Sequence, residues 1–288
     1  MKPTFHIVRF LLCVIVPAMM MTVVSCNGKQ AKDKQWVDSV LRVCDSIPDD
    51  TLVYKIEDTG VSASVDEVFN DFLYTFTHNK EFQGSRVDFP LSVMNSDGET
   101  VRRIGNGSEL ASFFNPLSND YCVMLFSDIS QFEDATAGEW GSVLLDVVDL
   151  GNEVVRCVNC DRSKGRWMLT GAHETPLDMY PASEFIRFYK AFSNDNDFQQ
   201  DHIMQPLPIS IMDDEDPGER IEGTIDASQF SVFAPCLPKD RFLLLDYGQY
   251  LANPSKVVMV ICGLGSGMID IMTFEESRGN WKLISYEQ

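Results

Sequence analysis

Two thiols three residues apart, Cys157 and Cys160, are the arrangement in this chain that comes nearest to a reactive motif. A CxxC pair does redox work when a helix N-terminus lowers a thiol pKa, and it holds zinc when two further ligands stand close by. The surrounding sequence supplies neither. Residues 153–160 alternate as a strand does, which sends residues three apart to opposite faces. The one ligand type nearby, His173, stands alone. These two thiols, together with Cys44, Cys122, Cys236 and Cys262, therefore read as core or half-buried cysteines, because their spacing is not that of a disulfide framework.

Other chemistry fails in the same way. The glycine cluster at 263–267 lies between two strand-like runs with no helix after it, so it reads as a hairpin turn and not as a phosphate cradle. Asp195 and Asp197 open a run like a calcium loop, but Gln200 and Pro206 fall where such a loop needs Gly and Glu. The acidic run 213–216 precedes Pro217-Gly218 and reads as a solvated turn. GxSxG, HExxH, P-loop and GxGxxG patterns are absent from the sequence. No catalytic residue, metal site or cofactor is assigned.

The polar positions that hold most interest are those repeated beside an aromatic frame. Phe69, Phe72, Phe76, Phe82-Gln83 and Pro90-Leu91 recur as Phe185, Phe188, Phe192, Phe198-Gln199 and Pro206-Leu207, at a constant offset of 116 positions. Gly165, Trp167 and Leu169 recur as Gly279, Trp281 and Leu283 at an offset of 114. So long a period indicates duplicated globular units, since solenoid repeats run about 20–50 residues. Gln83, Arg86 and Trp167, with Gln199, His202 and Trp281, form the candidate pocket set, because ligand sites combine apolar walls with a few polar groups. The competing reading places both glutamines on backbone groups of the following strand and both tryptophans in the core. Arg86 against His202, and Asp71, Tyr74 and His78 against Arg187, Lys190 and Asn194, mean that any site differs between the copies.

The elements that would position these residues repeat as well. Ser64 and Glu67 have capping-box spacing ahead of an apolar helical face at Val65, Phe69, Phe72, Leu73 and Phe76. A short helix at 80–83, a hairpin with its turn at 95–98 and a short helix from Ser108 follow. Strand-like runs then occupy 121–126, 142–149, 153–160 and 166–170, answered by 241–246, 256–262, 268–274 and 280–286. Helices first and a strand meander afterwards predict an α+β domain with helices on one face of a mostly antiparallel sheet. Residues 173–183 read as the connector between copies.

At the N-terminus, Lys2 and Arg9 precede an apolar run too short for a membrane span, which is the pattern of a signal peptide. It ends in Val23-Val24-Ser25-Cys26, which resembles a bacterial lipobox, so Cys26 is the expected lipid attachment site. Three acyl chains exceed the two signals that stable anchoring needs. Asn27 follows the Cys where Asp would argue for inner-membrane retention, and the outer membrane is preferred, with the face undecided. A polar tether and a short helix carrying Trp36, Val37, Val40, Leu41 and Cys44 come next. The formal charge of −20 excludes nucleic acid as a natural ligand.

The order of elements resembles the nuclear transport factor 2-like cone fold, in which helices pack into a curved sheet and leave a pocket at the wide end. The Phe/Phe/Phe helix, the Phe-Gln element and the Pro-Leu strand are similar to a domain-of-unknown-function lipoprotein family of Bacteroides-type bacteria. That resemblance implies fold and compartment and no reaction. The tripeptides starting at Asp38, Asp45 and Asp50 resemble the O-glycosylation signal of such bacteria. The expected layout is a signal peptide at 1–25, a lipid-anchored tether with a short helix at 26–63, and two tandem cone-like domains at 64–175 and 176–288. The expected role is that of a non-enzymatic module at the cell envelope, held to the membrane by its lipid and binding a small molecule, glycan or protein. The alternative is an enzyme with a pocket in one of the two domains.

Overall fold

Apolar residues at i, i+3, i+4 and i+7 build the first long helix, α1 (Phe69–His78), whose Phe69, Phe72, Leu73 and Phe76 are buried. Asn79 is extended and ends it, and its side chain then accepts the Phe82 amide to cap α2 (Lys80–Ser85). The second repeat does the same: α5 (Ser183–Asn194) ends at Asp195, whose carboxylate caps α6 (Asn196–Asp201). The acidic run at 195–200 is thus a helix cap. The capping box expected at Ser64 does not start a long helix. Residues Ala63–Asp66 form a 3-10 turn, α1 begins only at Phe69, and Asp66 is turned inward to a buried partner.

The computed structural model describes residues 63–114, 120–213, 216, 218–233, 237–249, 251 and 255–288. The expected signal peptide, Cys26, the Trp36 helix, the glycosylation tripeptides, Cys44 and Cys236 lie outside these residues. Each repeat contributes a hairpin and four further strands: β1 (Leu91–Met94), β2 (Thr100–Ile104), β3 (Tyr121–Phe126), β4 (Ser142–Asp149), β5 (Val154–Ser163) and β6 (Arg166–Pro176), then β7 (Leu207–Met212), β8 (Arg220–Ile225), β9 (Arg241–Asp246), β10 (Lys256–Gly263), β11 (Ile269–Ser277) and β12 (Asn280–Glu287). The helices α3 (Gly107–Phe114) and α4 (Ser130–Ala137) belong to the first repeat, and α7 (Phe230–Phe233) to the second. The β5–β6 and β11–β12 turns match in detail: Lys164-Gly165 and Arg278-Gly279 all have positive φ, as two-residue hairpin turns require.

All twelve strands join one sheet in the order β2-β1-β6-β5-β4-β9-β3-β10-β11-β12-β7-β8. The repeats exchange a strand. β9 of the second repeat lies against β4, and β3 of the first lies against β10. At the centre β3 and β9 run parallel, through Val123 and Leu244. Two equivalent neighbouring strands that run parallel are related by a pseudo-twofold along their own direction, and such a rotation exchanges the two faces of the sheet. The packing agrees. Leu243 and Leu245 of β9 join the core under α1, whereas Phe242, between them and the chain before, meets Tyr189 of α5 at 6.1 Å. Helices of the first repeat cover one face and the long helix of the second covers the other.

Two expectations change here. Each copy was expected to close its own sheet, but the central strands are shared and the described residues form one compact unit. The stretch read as a connector is largely strand: β6 runs to Pro176, with Ala172 and His173 paired to β1, and only the 3-10 turn Leu177–Met179 and a few residues lead into α5.

Candidate functional site

The six residues singled out from the repeat are built into the frame of each half. Arg86 is buried and donates to both carboxylate oxygens of Asp66 at 2.9 Å, and to the Trp167 carbonyl at 3.3 Å, while its guanidinium lies over Phe82. Asp66 also accepts the Trp167 amide. Gln83 is buried in α2. In the second half Gln199 donates to the Phe192 carbonyl, back toward α5 and not onward to a strand. His202 bonds the Phe198 carbonyl through Nδ1 and stacks on the Phe198 ring at 3.8 Å. Trp281 packs on Phe185 and Phe188. Trp167, 2% exposed, packs on Phe69 and lines a cavity of about 330 Å³ with Trp140, Tyr247 and Arg162. Aromatic rings therefore fill the space beneath both long helices. On the exposed side of α1, His78 stacks on Tyr74 and bonds Asp120.

The larger cavity, about 820 Å³, lies on the opposite face of the first repeat's strands from α1. The alternation of β4 turns Val143, Leu145 and Val147 into the α1 core and leaves Leu144 and Asp146 on the other side, where both line the cavity. The same alternation splits the CxxC pair: Cys160 enters the α1 core and Cys157, opposite Asp146 on β5, faces the cavity. His173 of β6 lies opposite Cys157 and lines it too. Asp246 comes from the exchanged strand β9, diagonal to Asp146 across the β4–β9 register. Tyr180 comes from the segment leading into α5, and its hydroxyl donates to Asp146 Oδ2 at 2.6 Å. Both repeats thus furnish the walls, and the strand exchange brings the two carboxyls together.

The electrostatics of this cluster follow from its burial. Asp146 is 2% exposed, and burial, with Asp246 adding to it, holds its carboxyl above the usual range, opposed by the Tyr180 hydroxyl and the neighbouring Cys157 thiol. Its Oδ1 has no hydrogen-bond partner. Burial likewise raises Asp246, opposed by the amides of Gly248 and Gln249. The Tyr180 hydroxyl and Cys157 thiol are pushed up by burial and then by Asp146. Cys122 and Cys262 face each other across β3 and β10, and all four described cysteines are free thiols, with burial raising Cys262 to about 12. Among the described residues no group of three or more His, Cys, Asp or Glu side chains is arranged to hold a metal ion.

None of Asp146, Asp246 or Tyr180 was found by sequence reasoning. One signal was present: Asp146 interrupts an apolar run, Val143 to Val148, that is apolar on both faces, so a carboxyl there had to be buried. Its partner on β9 had no signal at all, since the adjacency exists only through the exchange.

Comparison with known proteins agrees with this architecture. The family described as "Domain of unknown function (DUF4348)" matches residues 48–288. The chain belongs to that family. The crystal structure of a nuclear transport factor 2-like protein from Bacteroides fragilis NCTC 9343 is similar to this DUF4348 chain at 28% identity, covering 80% of this chain and 98% of that one, with a TM-score of 0.67. No curated protein matches. The DUF4348 chain is thus a mixed α+β protein with a nuclear transport factor 2-like fold, built on one large sheet.

Proposed function

We propose that this protein is a lipid-anchored module of the cell envelope that binds a small molecule in the cavity between its repeats. The observation that carries the reading is the orphaned Oδ1 of Asp146, a buried polar atom with no internal partner on the wall of an 820 Å³ cavity. A buried, unmade hydrogen bond costs about 1–3 kcal/mol, which a ligand that completes it recovers. Apolar walls from Leu125, Leu144 and Leu244 around a few polar groups are the usual composition of such a site. The anchor rests on the lipobox-like sequence ending at Cys26 and on the family resemblance, and the preferred location is the outer membrane.

Filling the cavity tests the reading. Leu144→Trp should keep the fold, by amide spectrum, and abolish release of any small molecule detected by mass spectrometry when the cell-derived protein is denatured. Equal yields of the same compound from the variant and the wild type would refute it. A second reading, an enzyme working from one site only, is favoured by one observation: a carboxyl whose ionisation burial opposes and a histidine two strands away line the same cavity, residue types suited to general acid–base work.

A further inference from the structure

The cavity has a charge character that narrows its ligand. Its lining includes two carboxyls, Asp146 and Asp246, and neither lysine nor arginine. Both carboxyls sit on one face of adjacent strands, and each is a hydrogen-bond acceptor on a wall of leucine side chains. The chain as a whole carries a formal charge of −20, so anions are repelled before they arrive. Tyr180 already donates to Asp146 Oδ2, whereas Oδ1 has no hydrogen-bond partner and can receive a donor.

We propose that the cavity is built for a small organic amine, whose ammonium group is held by Asp146 Oδ1 and Asp246 while its hydrocarbon part lies along Leu125, Leu144 and Leu244. This rests on the reading of the cavity as the ligand site. An ammonium group donates up to three hydrogen bonds and accepts none, which matches a set of acceptors with an unfilled position. Burial opposes ionisation of both carboxyls in the empty site. Binding exchanges a proton on Asp146 for the cation, so the cavity never holds two uncompensated charges. The groups that face Asp146 and join in this balance are Asp246 on β9, Cys157 on β5, His173 on β6 and Tyr180 ahead of α5. A carboxylate ligand would find no lysine or arginine to pair with, and an alcohol would gain no ion pair.

Isothermal titration of the whole chain with n-hexylamine, n-hexanol and hexanoate tests the proposal. The amine should bind about tenfold or more tightly than the alcohol, the usual margin for a hydrogen bond to a charged group, and hexanoate should give no heat. Its binding enthalpy should differ between phosphate and HEPES buffers, because a proton is released. Asp146→Asn should remove both the preference and the buffer dependence, and Asp246→Asn should weaken the amine alone. Hexanol binding as tightly as hexylamine, with Leu144→Trp blocking both, would overturn the amine and leave the cavity a ligand site. No heat from any probe would overturn both.

Discussion

At equivalent points of the two repeats the chain places Arg86 and His202, and their neighbours decide what each does. Arg86 neutralises Asp66 in a buried pair that also ties down both polar groups of the Trp167 backbone, whereas His202 stacks on Phe198 at a helix end. Removing one member of a buried pair leaves the other charge uncompensated, so Arg86→Ala should destabilise by about 3–5 kcal/mol in urea titrations. His202→Ala should cost about 1 kcal/mol, the size of one hydrogen bond. Asp146 is the opposite case, a carboxyl whose native environment opposes ionisation. The native state then binds more protons than the unfolded one above the ordinary Asp pKa of about 3.9, and stability falls as pH rises from there through the raised native value. Asp146→Asn removes that loss. Denaturation midpoints should show the variant more stable than wild type at neutral pH and level with it near pH 4 or below. A group that costs stability where it stands is what a binding residue looks like.

Strand exchange dominates at the scale of elements. β3 makes its long antiparallel register with β10, and β9 makes its own with β4, so neither repeat has its central strand without the other. Residues 35–175 and 177–288, expressed separately, should each give collapsed amide spectra without a cooperative transition. Mixing the two should restore dispersion if the exchange is the cause. Two well-dispersed halves would show instead that each can take back its own strand. The hairpin turns offer a finer check. Gly165 and Gly279 have φ of +80° and +79°, and a Cβ at either would meet open space. Gly→Ala at each should therefore cost only the left-handed backbone term, about 1–2 kcal/mol and equal in both repeats, by thermal denaturation. α4 (Ser130–Ala137) escaped sequence reasoning because it lacks a strong apolar stripe. Asp128, whose carboxylate accepts the Ser130 amide and hydroxyl, was its only cue.

For the whole molecule the expected anchor and the cavity are independent. No helix among the described residues is long and apolar enough to cross a membrane, and the proposed attachment runs through Cys26 alone. Cys26→Ala should move the protein from the membrane to the soluble fraction of cell lysates and abolish incorporation of labelled palmitate, with the cavity unaffected. Wild type that takes up no palmitate would remove the anchor and leave the fold as it stands.

Sequence by itself determined most of the elements and their repetition. The helix stripes of Phe69–Phe76 and Phe185–Phe192 and the strand runs are local patterns whose period is written into side-chain order. The burial of Trp167 and Trp281 was one of two readings open to the sequence, and packing resolved it. Only the tertiary structure decided that β3 and β9 change places, because either strand of the pair is apolar on both faces and fits beside β4 or β10 equally well by pattern. From that choice follow the single twelve-stranded sheet, the placement of helices on opposite faces, and the meeting of Asp146 with Asp246. Strand alternation fixes which face a residue takes, but the partner across the ladder is a long-range contact that no local period encodes.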